Sequence, residues 1–235
     1  MTTTRQSYNP IGFAARLVAQ MLGLVVILAA LLFVPAGRLD WLQAWAFVIT
    51  FGLFLLVYAI WGAFRDPELV QERSRVASNV KGWDKVIIGL YTALLPVLLI
   101  VAGLDAGRFR WSAVPAAVQA VGWVGMALAA GLVYWTVATN TYLSRLARIQ
   151  ADRGQTVITS GPYHYVRHPM YLGIIVLFLG LPLALDSFYA LIPGLLIGIL
   201  FVVRTAKEDA MLQAELAGYK EYTGQVRWRL VPGIY

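Results

Sequence analysis

Along this chain apolar residues arrive in long blocks, and the polar residues between them are confined to a few stretches. A helix needs about 20 apolar residues to cross a hydrocarbon core. The pattern predicts such spans over residues 13–35, 41–64, 86–104 and 113–139. A fifth block, 170–203, is too long for one crossing and is broken at LPLALDS. It predicts two short helices in a tight hairpin, with Asp186 and Ser187 at the turn. The expected fold class is all-α: an integral membrane protein with about six transmembrane helices, the last two paired. Gly194 and Gly198 offer a small-xxx-small face for close helix approach.

Composition agrees with the pattern. Of 235 residues, 60% are hydrophobic and 13% charged, with mean hydropathy +0.69; a soluble domain carries about 25% charged residues. Cysteine is absent, which excludes disulfides, thiolate ligands and a Cys nucleophile. The opening MTTTRQSYNPIGFAARL enters the first apolar block without a small-residue cleavage site, so no cleavable signal peptide is expected.

The net charge of +7 would suit a nucleic-acid partner in a soluble protein, but in a membrane protein basic residues report topology. All but three of the 19 Lys and Arg fall on one side. That side receives Arg5, Arg16, the 65–85 loop, the 140–167 segment and the tail; Arg38, Arg108 and Arg110 lie on the other. Both termini are therefore expected in the cytoplasm, with the protein in an inner or plasma membrane and no nucleic acid bound. Trp41 and Trp111 outside, with Trp61, Trp83 and Trp228 inside, suit interfacial belts. With no repeat or flexible linker, a single domain is expected over 1–235, four spans in 1–139 and the chemistry in 140–235.

That chemistry gathers in three cytoplasmic stretches. FRDPELVQERSRVASNVKGWDK, 64–85, carries mixed charges and reads as an amphipathic helix on anionic headgroups. In 140–171, ADRG breaks the helix, QTVITS looks extended and strand-like, and GPY makes a turn. Pro169 disfavours the α conformation at His168, so the chain enters the next span through a fixed, non-helical step. His164 and His168 would pair on a metal only if helical, and no third ligand motif lies nearby, so no metal is expected. With Arg167 and the tyrosines at 163, 165 and 171 they suggest a polar pocket instead. In RTAKEDAMLQAELAGYKEY, 204–222, Arg204 and Glu208 share a helix face where the last span ends. They are either a surface ion pair of little worth or ionisable groups on a functional path; the spacing does not choose.

GPYHYVRHPMYLG (161–173), followed after the hairpin by R-x-x-x-E-[DE]-x-x-L and GYKEY, resembles the isoprenylcysteine carboxyl methyltransferase family. That family sits in a wider group of membrane methyltransferases that includes phospholipid N-methyltransferases. The resemblance runs from residue 140 to the C-terminus, and more weakly to DPELVQER and KGWDK, which look like the bacterial branch. It implies a cytoplasmic S-adenosylmethionine pocket closed by a C-terminal helix. By motif position Gln150, Gln155, Thr156, Val157, Ile158, Tyr163, His168, Pro169, Met170 and Tyr171 would line it, with Arg204 and Glu208 at the reaction centre. Asp209 stands where many relatives carry a second Glu, and the segment from Gln150 to Gln155 is shorter than in eukaryotic relatives.

The implied activity is methyl transfer to a lipidic or small apolar acceptor among the membrane lipids. The family suggests a prenylcysteine-type carboxylate; a phospholipid amine or a small thiol or acid is the alternative. A carboxylate needs only an orienting cation such as Arg204. An amine must react neutral, which suits Glu208 as proton acceptor. Two other classes compete: an NADPH-dependent membrane reductase of the sterol type, and a transporter or scaffold. Transporters show repeats and broken helices near mid-membrane, whereas here no repeat is visible and the polar residues cluster at one face.

Overall fold

The structure is a computed structural model that describes residues 10–74 and 80–235. Arg5 and Arg75, used above for topology, lie outside the described residues. The helices are α1 (Pro10–Ala36), α2 (Leu42–Arg65), α3 (Pro67–Ser74), α4 (Gly82–Ala102), α5 (Ala116–Thr139), α6 (Pro169–Ala184), α7 (Leu191–Glu215) and α8 (Tyr219–Gln225). No strand occurs among the described residues. The all-α expectation holds, while QTVITS is irregular backbone: no second extended segment lies beside it to form a ladder.

Four helices are long and apolar enough to cross a membrane: α1, α2, α4 with the π-helical turn Gly103–Phe109 that extends it, and α5. The expected six are not all of that kind. The 16 residues of α6 span about 24 Å, short of a hydrocarbon core of about 30 Å. The apolar run of α7 gives way to Arg204, Lys207, Glu208 and Asp209 after Val203.

Packing follows from residue size. α5 lies along α6, and their backbones meet where a Cβ on Gly122 would stand 2.7 Å from the Gly180 carbonyl oxygen. A Cβ on Gly194 would collide with the Phe178 carbonyl, but one on Gly198 would meet Ile175 at an ordinary 3.8 Å. The predicted small-residue face is thus half used. Leu32, Leu98, Leu99, Ile197 and Phe201 fill the shared core, while Val26, Ile27, Ile49 and Leu53 stay exposed, as lipid-facing positions of α1 and α2 would. Trp41 departs from its expected belt role. It is buried edge-on against Phe33 at 6.4 Å, because the π-helical turn brings Gly107 close to Ala36 and the indole.

The hairpin turn falls where the sequence places it. Asp186 takes a left-handed φ of 64° and its Oδ1 accepts from the Val114 amide at 2.7 Å. Ser187 is buried and donates to Asp105 at 2.6 Å.

Candidate functional site

The site is built on the irregular segment between α5 and α6. Asn140 ends α5, accepts from the Tyr142 amide at 2.9 Å, and donates to the Tyr163 hydroxyl at 2.8 Å. Gln150 is almost wholly buried; its side chain donates to the Tyr142 carbonyl and accepts from Arg153 Nη1 at 2.8 Å. Its amide donates to Gln155 Oε1 at 2.7 Å, so the two glutamines fold the loop on itself. Gly161 sits at φ 59° with its Cα against Thr139 and Trp135, a place no side chain could share. His168 is non-helical (φ −128°, ψ 60°) and Pro169 opens α6, as the sequence requires.

One buried carboxylate ties these pieces to the C-terminal tail. Asp209 accepts from Arg167 Nε (2.7 Å) and Nη2 (3.1 Å), the Tyr219 hydroxyl (3.1 Å), Gln213 Nε2 (2.8 Å) and Arg229 Nε (3.0 Å), with His168 Nε2 at 3.3 Å. Burial opposes its charge, yet the hydrogen bonds from His168 and Arg167 outweigh that and hold the carboxyl well below the usual carboxylate range. Burial, with Asp209 beside it, pushes the Tyr219 hydroxyl far up, so it stays a donor. Residues 167 and 168 also donate their amides to the Trp228 and Arg229 carbonyls at 2.9 Å each. Burial likewise raises the Tyr222 hydroxyl, which donates to the Tyr163 carbonyl at 2.6 Å.

These elements surround an open cavity whose empty space, mouth included, is about 770 Å³. All ten residues matched to a cofactor site line it, as does Glu208. Asn140, Tyr142, Leu212, Tyr219 and Tyr222 line it too and were not singled out in the sequence. The residues of the α7–α8 wall lie in the stretch around GYKEY, so that motif was the available signal. His164 does not line the cavity and packs edge-on against Tyr165, so the two histidines diverge. Among the described residues no group of acids and histidines could hold a metal ion.

Arg204 does not line the cavity. It is buried behind Tyr171, its Cζ 5.0 Å from the ring centre. Nε and Nη2 donate to the two oxygens of Asp84 at 2.7 and 3.1 Å, and Nη2 also reaches the Arg145 carbonyl at 2.9 Å. Asp84 is fully buried in the first turn of α4 and accepts from the Ala147 amide at 2.6 Å. Arg204 and Glu208 therefore share a face but not a bond; Glu208 instead accepts from the Tyr171 hydroxyl. Asp84 escaped the sequence reading, although an acid at the mouth of an apolar helix is itself a signal.

Comparison with known proteins bears on this arrangement. Residues 123–214 match the isoprenylcysteine carboxyl methyltransferase (ICMT) family. The ICMT match runs from within α5 to near the end of α7, which takes in the irregular segment, Arg204 and Glu208 and stops short of α8. It supports a membrane methyltransferase in general. No curated protein matches the chain.

Proposed function

We propose that this protein is an integral membrane methyltransferase that uses S-adenosylmethionine to methylate a lipidic or small apolar acceptor. The observation that supports the reading is the cavity, where residues drawn from the 140–168 segment, α6 and α7 converge, an arrangement in keeping with the family resemblance. The lining suits such a cofactor: Tyr163, Tyr219 and Tyr222 offer aromatic walls, and Glu208 a carboxylate for a cation. When bound, the cofactor supplies an electrophilic methyl group on a sulfonium. The chain's part is alignment and exclusion of water. The Asp209 cluster fixes His168, whose ring lies nearly parallel to Tyr171 (5.7 Å, 7°), and α8 closes one wall. Family resemblance suggests a prenylcysteine-type carboxylate as acceptor, with a phospholipid amine or a small thiol or acid as alternatives.

In this reading the chain is one domain, α6 and the apolar part of α7 complete six crossings, and both termini are cytoplasmic. A reporter fused after Tyr235 should report a cytoplasmic location; an external signal would overturn the orientation. For the cofactor, calorimetric titration in detergent should show binding of S-adenosylmethionine, weakened in His168→Ala and Tyr171→Phe. Binding of NADPH in its place would favour a reductase, and wild-type affinity in both folded variants would remove the pocket assignment.

A further inference from the structure

The two arginines that line the cavity, Arg148 and Arg167, are matched by acids. Arg148 is held by Glu72 (2.6 and 3.0 Å) and Asp152 (3.0 and 3.5 Å). Arg167 is held by Asp209 and by the Val226 and Arg227 carbonyls. Arg204 is gripped at two prongs by Asp84 and lies behind the Tyr171 ring. Arg145 contributes its carbonyl to that pair, and its exposed side chain does not line the cavity. Glu208 is different. Among the described residues its one hydrogen-bond partner is the neutral Tyr171 hydroxyl, on Oε2, and no cation forms an ion pair with it. Glu208 and the Asp84 of α4 both act electrostatically on Tyr171 of α6 and Arg204 of α7, and the His168 ring, just ahead of α6, lies parallel to Tyr171.

We infer that the methyl acceptor is a neutral protic nucleophile, a thiol or an amine, whose proton passes to Glu208, and not a carboxylate. The inference rests on the proposed function and departs from the prenylcysteine carboxylate that the family suggests. Arg204 is coupled to both Glu208 and Asp84, one cation against two carboxylates, so the reaction centre carries one net negative charge. That charge suits a sulfonium, repels a second carboxylate, and can accept a proton. The acceptor's lone pair forms the new bond to the methyl carbon. The old carbon–sulfur bond breaks with its pair kept on sulfur, which becomes a neutral thioether. The acceptor's proton goes to Glu208 Oε1, and no further reactant is needed.

The test incubates full-length protein in detergent with methyl-labelled S-adenosylmethionine and, separately, dodecanethiol, dodecylamine and N-acetyl-S-farnesylcysteine. Alkali then releases methanol from a methyl ester and leaves S-methyl and N-methyl groups in place. Alkali-stable label on the thiol or the amine is expected. Label recovered mainly as methanol from the carboxylate overturns the inference and leaves the methyltransferase standing. No label on any acceptor overturns both, and the cofactor titration then shows whether the pocket reading falls too. Glu208→Gln should lower turnover roughly 10²–10⁴-fold near neutral pH. With dodecanethiol, turnover should partly recover as pH rises towards the alkanethiol's own pKa, which lies above that of a cysteine, because the thiolate needs no base. At equilibrium the same variant should narrow, several-fold, the preference for S-adenosylmethionine over its thioether product S-adenosylhomocysteine. An unchanged preference together with normal turnover would remove Glu208 from the reaction.

Discussion

The α6–α7 hairpin is pinned at both ends by fully buried carboxylates, and the two ends do it with different chemistry. At the end that meets α8, Asp209 binds Arg167 and Arg229 with His168 beside them, and Asp84 binds Arg204. At the other end Asp105 accepts only from neutral donors: the Ser112 amide (2.9 Å) and hydroxyl (2.5 Å), the Ser187 hydroxyl (2.6 Å) and the Tyr189 amide (3.3 Å). The split mirrors the charge asymmetry of the chain: of its 19 Lys and Arg, only Arg38, Arg108 and Arg110 lie between α1 and α2 or between α4 and α5. A carboxylate matched by cations creates a site whose parts fail together, since removing one charge strands another in a dry place. A carboxylate matched by serines and amides is a staple whose loss leaves unsatisfied but uncharged groups.

The sharpest way to break the comparison is to neutralise the Asp209 hub. Asp209→Asn leaves Arg167 and Arg229 without their anion, and we expect a loss of about 3–5 kcal/mol in unfolding experiments in detergent. Acid sharpens the result. The Asp209 carboxyl is depressed in the folded state, so the unfolded chain takes up the proton first as pH falls through about 4. Its contribution is fully present above that pH and lost progressively below it. The variant should therefore show a flatter decline in stability on acidification than the parent; equal slopes would count against the hub.

Arg204→Ala should cost a comparable amount, about 3–5 kcal/mol, by stranding Asp84. Lost activity in that variant then reports packing as well as catalysis. Asp84→Asn combined with Arg204→Met removes both charges and should recover much of the stability; no recovery would mean that the pair is not the source of the loss.

The smallest effect belongs to the hairpin-turn end. Asp105→Asn should cost about 1–3 kcal/mol, because its partners are neutral. A loss as large as that of Asp209→Asn would erase the distinction between the ends.

The sequence by itself determined what depends on neighbours along the chain. Apolar blocks of sufficient length placed α1, α2, α4 and α5 to within a few residues, since a helix in hydrocarbon satisfies its own backbone. LPLALDS fixed the hairpin turn, and Pro169 alone forced His168 out of the helix. The ten matched residues between 150 and 171 line one cavity because they are close in sequence, whereas Glu208 reaches it through the packing of α7. Only the tertiary structure decided who pairs with whom. Arg204 reaches Asp84 across 120 positions, and Arg167 reaches Asp209 across 42; nothing in the local pattern names the partner of either acid. Trp41 was drawn inward by a π-helical turn more than 60 residues away. Hydrophobic length and backbone restriction act locally and can be read from the string. Charge pairing in a dry interior is settled by which helices pack, and that fixes which cation has a free prong for a substrate.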